Sequence, residues 1–222
     1  MTSFDASIDR FRLVAGDRVD LTDATQAKAC LVWLNAWGCR QFSVEHHEAA
    51  AGVLASWWVD WIDQLPPPEA DIDQLDDNAL RVVSSAYGDL AQREAGRGRL
   101  ADGRESVLTG GPTGAGKILH IVRPRTCAPW DDPIRRALRL DPGSRGDLRY
   151  LTDVRDQVRS LRDTAVRNGL DADDIPSALG RPSSTLPKLV DEYNWVTINR
   201  GLTLPSPREL AMWNRWADDR SS

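Results

Sequence analysis

The sequence predicts an all-α protein, and three kinds of observation lead to that prediction. Apolar residues recur every three or four positions along most of the chain, which is the spacing of one helix face. Capping residues, glycines and prolines stand where these periodic stretches begin and end. Strand signals are nearly absent, since only SVLT (106–109) and VTIN (196–199) have the character of a short strand.

The first half of the chain is predicted to contain three helices. They span residues 23–37, 44–63 and 73–94. Thr22 or Asp23 serves as the first N-cap, and Gly38 ends that helix. A proline-rich break at 65–72 follows the second helix, and a polar, glycine-rich loop at 95–106 follows the third. The predicted inward residues are His46, Ala50, Val53, Trp57 and Trp61 on the second helix, and Leu80, Val83, Tyr87 and Leu90 on the third.

The second half is predicted to be helical as well. One helix starts at Pro133, and others span 148–168, about 172–179 and 184–199. A last helix begins at Ser206, because Ser206 and Glu209 form a capping box around Pro207. We therefore expect residues 1–222 to form a single helical domain.

Bulk properties narrow the function classes. The net charge is −5, which disfavours duplex DNA as a partner because phosphate contacts need basic residues. The polar start of the chain and the lack of a long apolar run predict a cytoplasmic protein without a membrane partner. The three cysteines are expected to be reduced thiols, and neither they nor the VEHHEA stretch has metal-ligand spacing. Nine tryptophans make the chain tryptophan-rich, and the scarcity of lysine is typical of a GC-rich, actinobacterial genome.

The stretch GPTGAGKI (111–118) resembles a phosphate-binding loop but has Ile118 where that motif needs a hydroxyl. No βαβ pattern surrounds it, so we do not expect an ATPase or GTPase. The alternative is a tight hairpin between two helices, the second beginning at about Gly116 with free backbone amides that can hold an anion.

Residues 108–138 resemble the motif region of the helix-hairpin-helix DNA glycosylase superfamily. Gly114, Ala115 and Gly116 stand for the Gly-Val-Gly of its hairpin. Asp131 stands for its catalytic aspartate, and Arg136 for the arginine that follows. The resemblance implies two helical lobes around a cleft. The resemblance does not imply lyase activity, because Lys117 stands one position before the family's lyase lysine. It does not imply an iron–sulfur cofactor either, because the chain has no cysteine cluster.

The predicted function is a cleft enzyme that acts on a small or nucleoside-like substrate by acid–base assisted displacement at carbon. The alternatives are a monofunctional DNA glycosylase and a non-catalytic binding subunit with a protein partner. Asp131 is the predicted catalytic residue, and the predicted substrate-binding residues are Trp130, His120, Lys117, Gly114, Gly116, Glu192 and Tyr193. The residue types also allow structural roles: Asp131 as a helix N-cap, His120 and Trp130 in the core, and Glu192 as a surface carboxylate.

Overall fold

Helices make up most of the structure, a computed structural model that describes residues 3–16, 18–39, 42–99, 104–206, 208, 209 and 212. The helices in these ranges are α1 (Ser3–Ala15), α2 (Ala24–Ala36), α3 (His47–Trp61), α4 (Asp77–Gln92), α5 (Gly111–Val122), α6 (Asp132–Ala137), α7 (Ser144–Arg167), α8 (Ile175–Ala178) and α9 (Leu186–Asn194). Short 3₁₀ turns lie at Val44–His46, Ile72–Gln74 and Ala172–Asp174, and a π-helical turn, Trp195–Asn199, follows α9. The predicted all-α class is confirmed.

Helix α4 lies at the centre of the packing, between α5 and α7. Its predicted inward residues, Leu80, Val83, Tyr87 and Leu90, are all buried. Burial of that apolar stripe is the main force that holds α4 in place, at about 1.5–3 kcal/mol for each large side chain. Around this centre, α1 packs on α2, α2 on α3, and α7 on α9.

The prediction of a polar loop at 95–106 is wrong at the two ends of that range. Strands β1 (Glu94–Arg99) and β2 (Glu105–Thr109) pair in antiparallel fashion, with an irregular register between Glu94 and Gly96, and residues 100–103 lie outside the described residues. SVLT lies in β2 as predicted. Strand β1 has no apolar alternation, since its middle is Gly96-Arg97-Gly98, and its pairing depends on backbone hydrogen bonds that composition does not reveal.

VTIN, one of the two strand candidates, is not a strand. It lies in the π-helical turn that continues α9, within the stretch 184–199 that is predicted to be helical. The predicted hairpin between two helices is wrong: β2 precedes Gly110, and α5 begins at Gly111 instead of Gly116. The helix starts earlier because Pro112 suits its first turn, so Gly116 lies inside α5 with its amide turned into the helix.

Helix α1 was not among the predicted helices. Phe4, Ile8, Phe11 and Ala15 are buried and spaced by four, three and four residues, which is a helical stripe. The stripe is hard to recognise in the sequence because acidic residues stand between its apolar members.

The capping box at the predicted last helix is present. The Ser206 amide donates to the Glu209 carboxylate at 2.8 Å, and the Glu209 amide donates to the Ser206 hydroxyl at 3.3 Å. Pro207, Trp213 and Trp216 lie outside the described residues. In the described part of the chain, none of the helices combines the length and apolar character needed to cross a bilayer.

Candidate functional site

Gly114 and Gly116 are buried within α5 and present no free loop. A Cβ built on Gly116 would lie 2.8 Å from Cδ1 of Trp130, closer than carbon atoms approach in proteins. Gly116 therefore allows the Trp130 ring to lie against α5. The prediction that these glycines form an anion-binding hairpin is wrong, because Gly116 is past the first turn and its amide serves the helix.

Lys117 stabilises the end of another helix. Its Nζ donates to the backbone carbonyl of Trp37 at 2.6 Å and lies 3.4 Å from Sγ of Cys39. Trp37 is the C-cap of α2, where a cation is favourable because the last carbonyls are unpaired. The Lys117 ammonium is thus occupied by the end of α2.

Trp130 belongs to a buried aromatic cluster. Its ring stacks on Tyr150 with centroids 5.1 Å apart and planes 13° apart, and Tyr87 lies 5.9 Å away. The side chain is 3% exposed. Trp130 joins α4, α5 and α7 in the core and lines neither the cleft nor the groove described below.

Asp131 is the N-cap of α6. One carboxylate oxygen accepts from the Ile134 amide at 3.1 Å, and the other accepts from Nδ2 of Asn199 at 3.3 Å. The neighbouring Asp132 pairs with Arg135 and Arg136, and the Arg135 hydrogen bond lowers the pKa of Asp132. Asp131 therefore has the structural role of a helix N-cap, and its catalytic role stays a prediction.

Glu192 belongs to an ion-pair group. Arg181 contacts Glu192 and also donates to Asp5 of α1, and Nζ of Lys188 lies 3.3 Å from Glu192. These carboxylates raise the pKa of Arg181 above its usual range. Tyr193 is 45% exposed.

His120 is 4% exposed and lies at the wall of a large cleft. Its Nδ1 is 2.7 Å from the Cys127 carbonyl oxygen. Because a carbonyl only accepts, Nδ1 carries the proton and Nε2 presents a lone pair. Burial lowers the pKa of His120 to about 3, and the charges of Lys188 and Arg12 act in the same direction.

This cleft has a volume of about 1020 Å³. We call it the main cleft. Its walls are formed by α1, the end of α3 with the proline-rich segment to Glu69, residues 120–125, residues 182–185 with Lys188, and Gly16, Arg18, Val19 and Asp20. Of the predicted site residues, only His120 lines the main cleft.

Arg123, the residue that ends α5, is the most unusual side chain of the main cleft. It is 3% exposed; its Nε donates to the Pro66 carbonyl and its Nη1 to the Val122 carbonyl at 2.7 Å. The guanidinium lies 5.8 Å from the Trp58 ring centroid. Within the described ranges, no carboxylate comes within 4.0 Å of it. Burial lowers the pKa of Arg123, and the more distant charge of Glu69 acts in the opposite direction.

Other largely buried arginines of the described residues have carboxylate partners. Arg93 pairs with Asp89 and Asp60, and Arg155 pairs with Asp77. An unpaired buried charge costs several kcal/mol, so that proteins normally pair it. The sequence gives no sign that Arg123 differs, because the lack of a partner depends on the packing around it.

The main cleft carries an excess of positive charge. Its basic residues are Arg12, Arg18, Arg123, Arg125 and Lys188, and its acidic residues are Asp5, Asp20 and Glu69. Arg125 pairs with Asp71, and Lys188 pairs with Asp191 at 2.6 Å. The exposed Arg12 and Arg18, like Arg123, have no carboxylate within 4.0 Å among the residues described.

A metal site is not evident in the described ranges, where no group of three histidine, cysteine, aspartate or glutamate side chains could hold an ion. Comparison with protein-family models, with curated proteins and with solved structures finds no match to this chain.

Proposed function

We propose that this protein binds a small organic anion in the main cleft. The observation that carries the proposal is Arg123, a buried guanidinium that faces a cavity without a carboxylate partner. A carboxylate or phosphate group of a ligand would supply the missing charge and accept hydrogen bonds from the planar guanidinium.

The rest of the main cleft suits such a ligand. Its volume of about 1020 Å³ is enough for a molecule of metabolite size. Phe4, Ile8, Trp58 and Leu65 supply apolar surface for the body of the molecule. Arg12 and Arg18 at the rim attract an anion by long-range electrostatics, although the whole chain is negative.

The test is a binding panel of aromatic acids and their neutral amides. Benzoate, cinnamate and phenyl phosphate are titrated by calorimetry, with benzamide and cinnamamide as matched controls. We expect at least one acid to bind at least about tenfold more tightly than its amide, which is about 1.4 kcal/mol. The proposal fails if no acid binds, or if acids and amides bind equally.

A second candidate function retains the chemistry that the sequence predicts at Asp131, displacement at carbon on a glycosylase-like, two-lobed scaffold. The supporting observation is a groove of about 490 Å³ beside α6, lined by Asn199, whose amide contacts Asp131. Arg200 and Trp195 line the same groove, with the guanidinium 4.8 Å from the ring centroid. The test measures the release of free base from nucleosides. The candidate function predicts that the wild type releases base and that Asp131→Asn does not.

Duplex DNA gains no support from the structure. The predicted hairpin on which the DNA glycosylase alternative depends is instead strand β2 followed by helix α5, in which Gly114 and Gly116 are buried. Lys117 is bonded to the Trp37 carbonyl. No exposed basic surface is therefore formed by these residues.

A further inference from the structure

His120 provides a second recognition element in the main cleft. Its Nδ1–H is used by the Cys127 carbonyl, and Nε2 has no hydrogen-bond partner among the described residues. Nε2 is not among the side-chain atoms that are both fully buried and unpaired, so a molecule in the main cleft can reach it. The wall of the cleft therefore presents a free acceptor beside a cation without an ion-pair partner.

The spacing of His120 and Arg123 limits which molecules can use both. His120 and Arg123 are three residues apart in sequence, and both line the main cleft. His120 is in the last turn of α5 and Arg123 is the residue that ends it. One ligand of modest size can reach both side chains.

The surroundings of His120 keep it an acceptor. The Phe4 ring lies 5.7 Å from the imidazole, and the ammonium of Lys188 is near enough to disfavour a second positive charge. An imidazole that stays neutral can accept from a hydroxyl but cannot bind a second carboxylate by charge.

We infer that the ligand is a hydroxylated organic acid, whose acid group binds Arg123 and whose hydroxyl donates to Nε2 of His120. This inference rests on the proposed function, since it specifies the substrate class of the same site. An acid without a hydroxyl would leave Nε2 unpaired, and a site built around a hydrogen bond discriminates against such analogues.

The test compares benzoate with 2-, 3- and 4-hydroxybenzoate and with the corresponding methoxybenzoates, which cannot donate. We expect one hydroxybenzoate to bind about tenfold more tightly than both benzoate and its methoxy analogue. In the unmodified protein, the ¹⁵N resonance of His120 Nε2 should shift only with the hydroxylated acid. His120→Phe should abolish the preference for the hydroxylated acid.

The outcomes separate the two proposals. If benzoates bind but neither affinity nor the Nε2 resonance responds to the hydroxyl, the inference is overturned and the proposed function stands. If no acid of the whole panel binds, both are overturned. The resonance measurement decides even if His120→Phe does not fold.

Discussion

Gly116 lies directly against the ring of Trp130, with no room for a side chain between them. A Cβ at Gly116 would be 2.8 Å from Cδ1 and 3.1 Å from Nε1 of that ring. Gly116→Ala should therefore destabilise the protein by about 1–3 kcal/mol, the usual effect of overpacking a core. Thermal and urea unfolding measure it.

The control for this prediction is Gly52→Ala. Gly52 is also inside a helix, but it is exposed, and a Cβ there meets nothing within 4 Å. Alanine should raise stability by about 0.5–1 kcal/mol, because it restricts the unfolded chain. If Gly116→Ala stabilises the protein as Gly52→Ala does, the close approach of Trp130 to α5 is wrong.

The second prediction concerns Asp147, a buried residue in the first turn of α7. Burial raises the pKa of Asp147 to about 7, from an ordinary value of 3.8, against the lowering effect of the Ser84 hydroxyl. Between about pH 4 and pH 7 the unfolded chain releases this proton and the folded protein keeps it. The contribution of Asp147 to stability is therefore full below pH 4 and is lost as pH rises to 7.

Asp147→Asn removes this dependence and keeps the shape of the side chain. The variant should be more stable than the wild type above pH 7 by on the order of 2–4 kcal/mol, with the difference shrinking toward pH 4. Urea unfolding across pH 4–8 measures the difference. Asp163→Asn, on the exposed side of α7, is the control and should have little effect. A difference independent of pH would contradict the assignment.

A third prediction concerns Arg181, whose Nε and Nη2 donate to Asp5 at 2.7 and 2.8 Å. Both side chains are largely buried, at 18% and 11% exposure, so solvent weakens the pair little. A double-mutant cycle with Asp5→Asn and Arg181→Gln should give a coupling energy of about 1–3 kcal/mol. The exposed pair Lys28–Glu48 should give less than about 0.5 kcal/mol. Equal coupling in the two pairs would show that Arg181 does not tie α1 to α9.

The fourth prediction separates capping from chemistry at Asp131. Asp131→Ala should cost about 1 kcal/mol of stability because the Ile134 amide loses its acceptor, and Asp131→Asn should cost much less. If the second candidate function holds, Asp131→Asn should lower the rate of base release from nucleosides by about a hundredfold or more, and Asp132→Asn should lower it less. Base release that is unchanged in Asp131→Asn rules out catalysis by this carboxylate.

The helical part of the fold could be predicted from sequence because its signals are local. The spacing of Leu80, Val83, Tyr87 and Leu90 is sufficient to orient α4, and all four side chains are buried as predicted. Strand β1 could not be predicted in this way, since a Gly-Arg-Gly stretch becomes a strand only by pairing with β2.

The candidate site was less accessible to prediction. His120 could be singled out as a histidine in an apolar run, and it does line the main cleft. Arg123 could not be singled out, because its lack of an ion-pair partner depends on how the chain packs around it. The motif around Lys117 suggested a ligand-binding role. Its actual partner, the Trp37 carbonyl, lies 80 residues away in the sequence and could not be predicted from it.

The most direct test of the central claim is calorimetric titration of the tightest-binding acid of the panel into wild type, Arg123→Met, Arg123→Lys and Arg145→Met. Arg145 is exposed on α7 outside the main cleft and controls for the loss of one positive charge. Circular dichroism checks that each variant is folded. We expect Arg123→Met to weaken binding at least about tenfold, Arg123→Lys to weaken it less, and Arg145→Met to leave it unchanged. Equal affinity in wild type and a folded Arg123→Met would contradict the claim that Arg123 holds the anion.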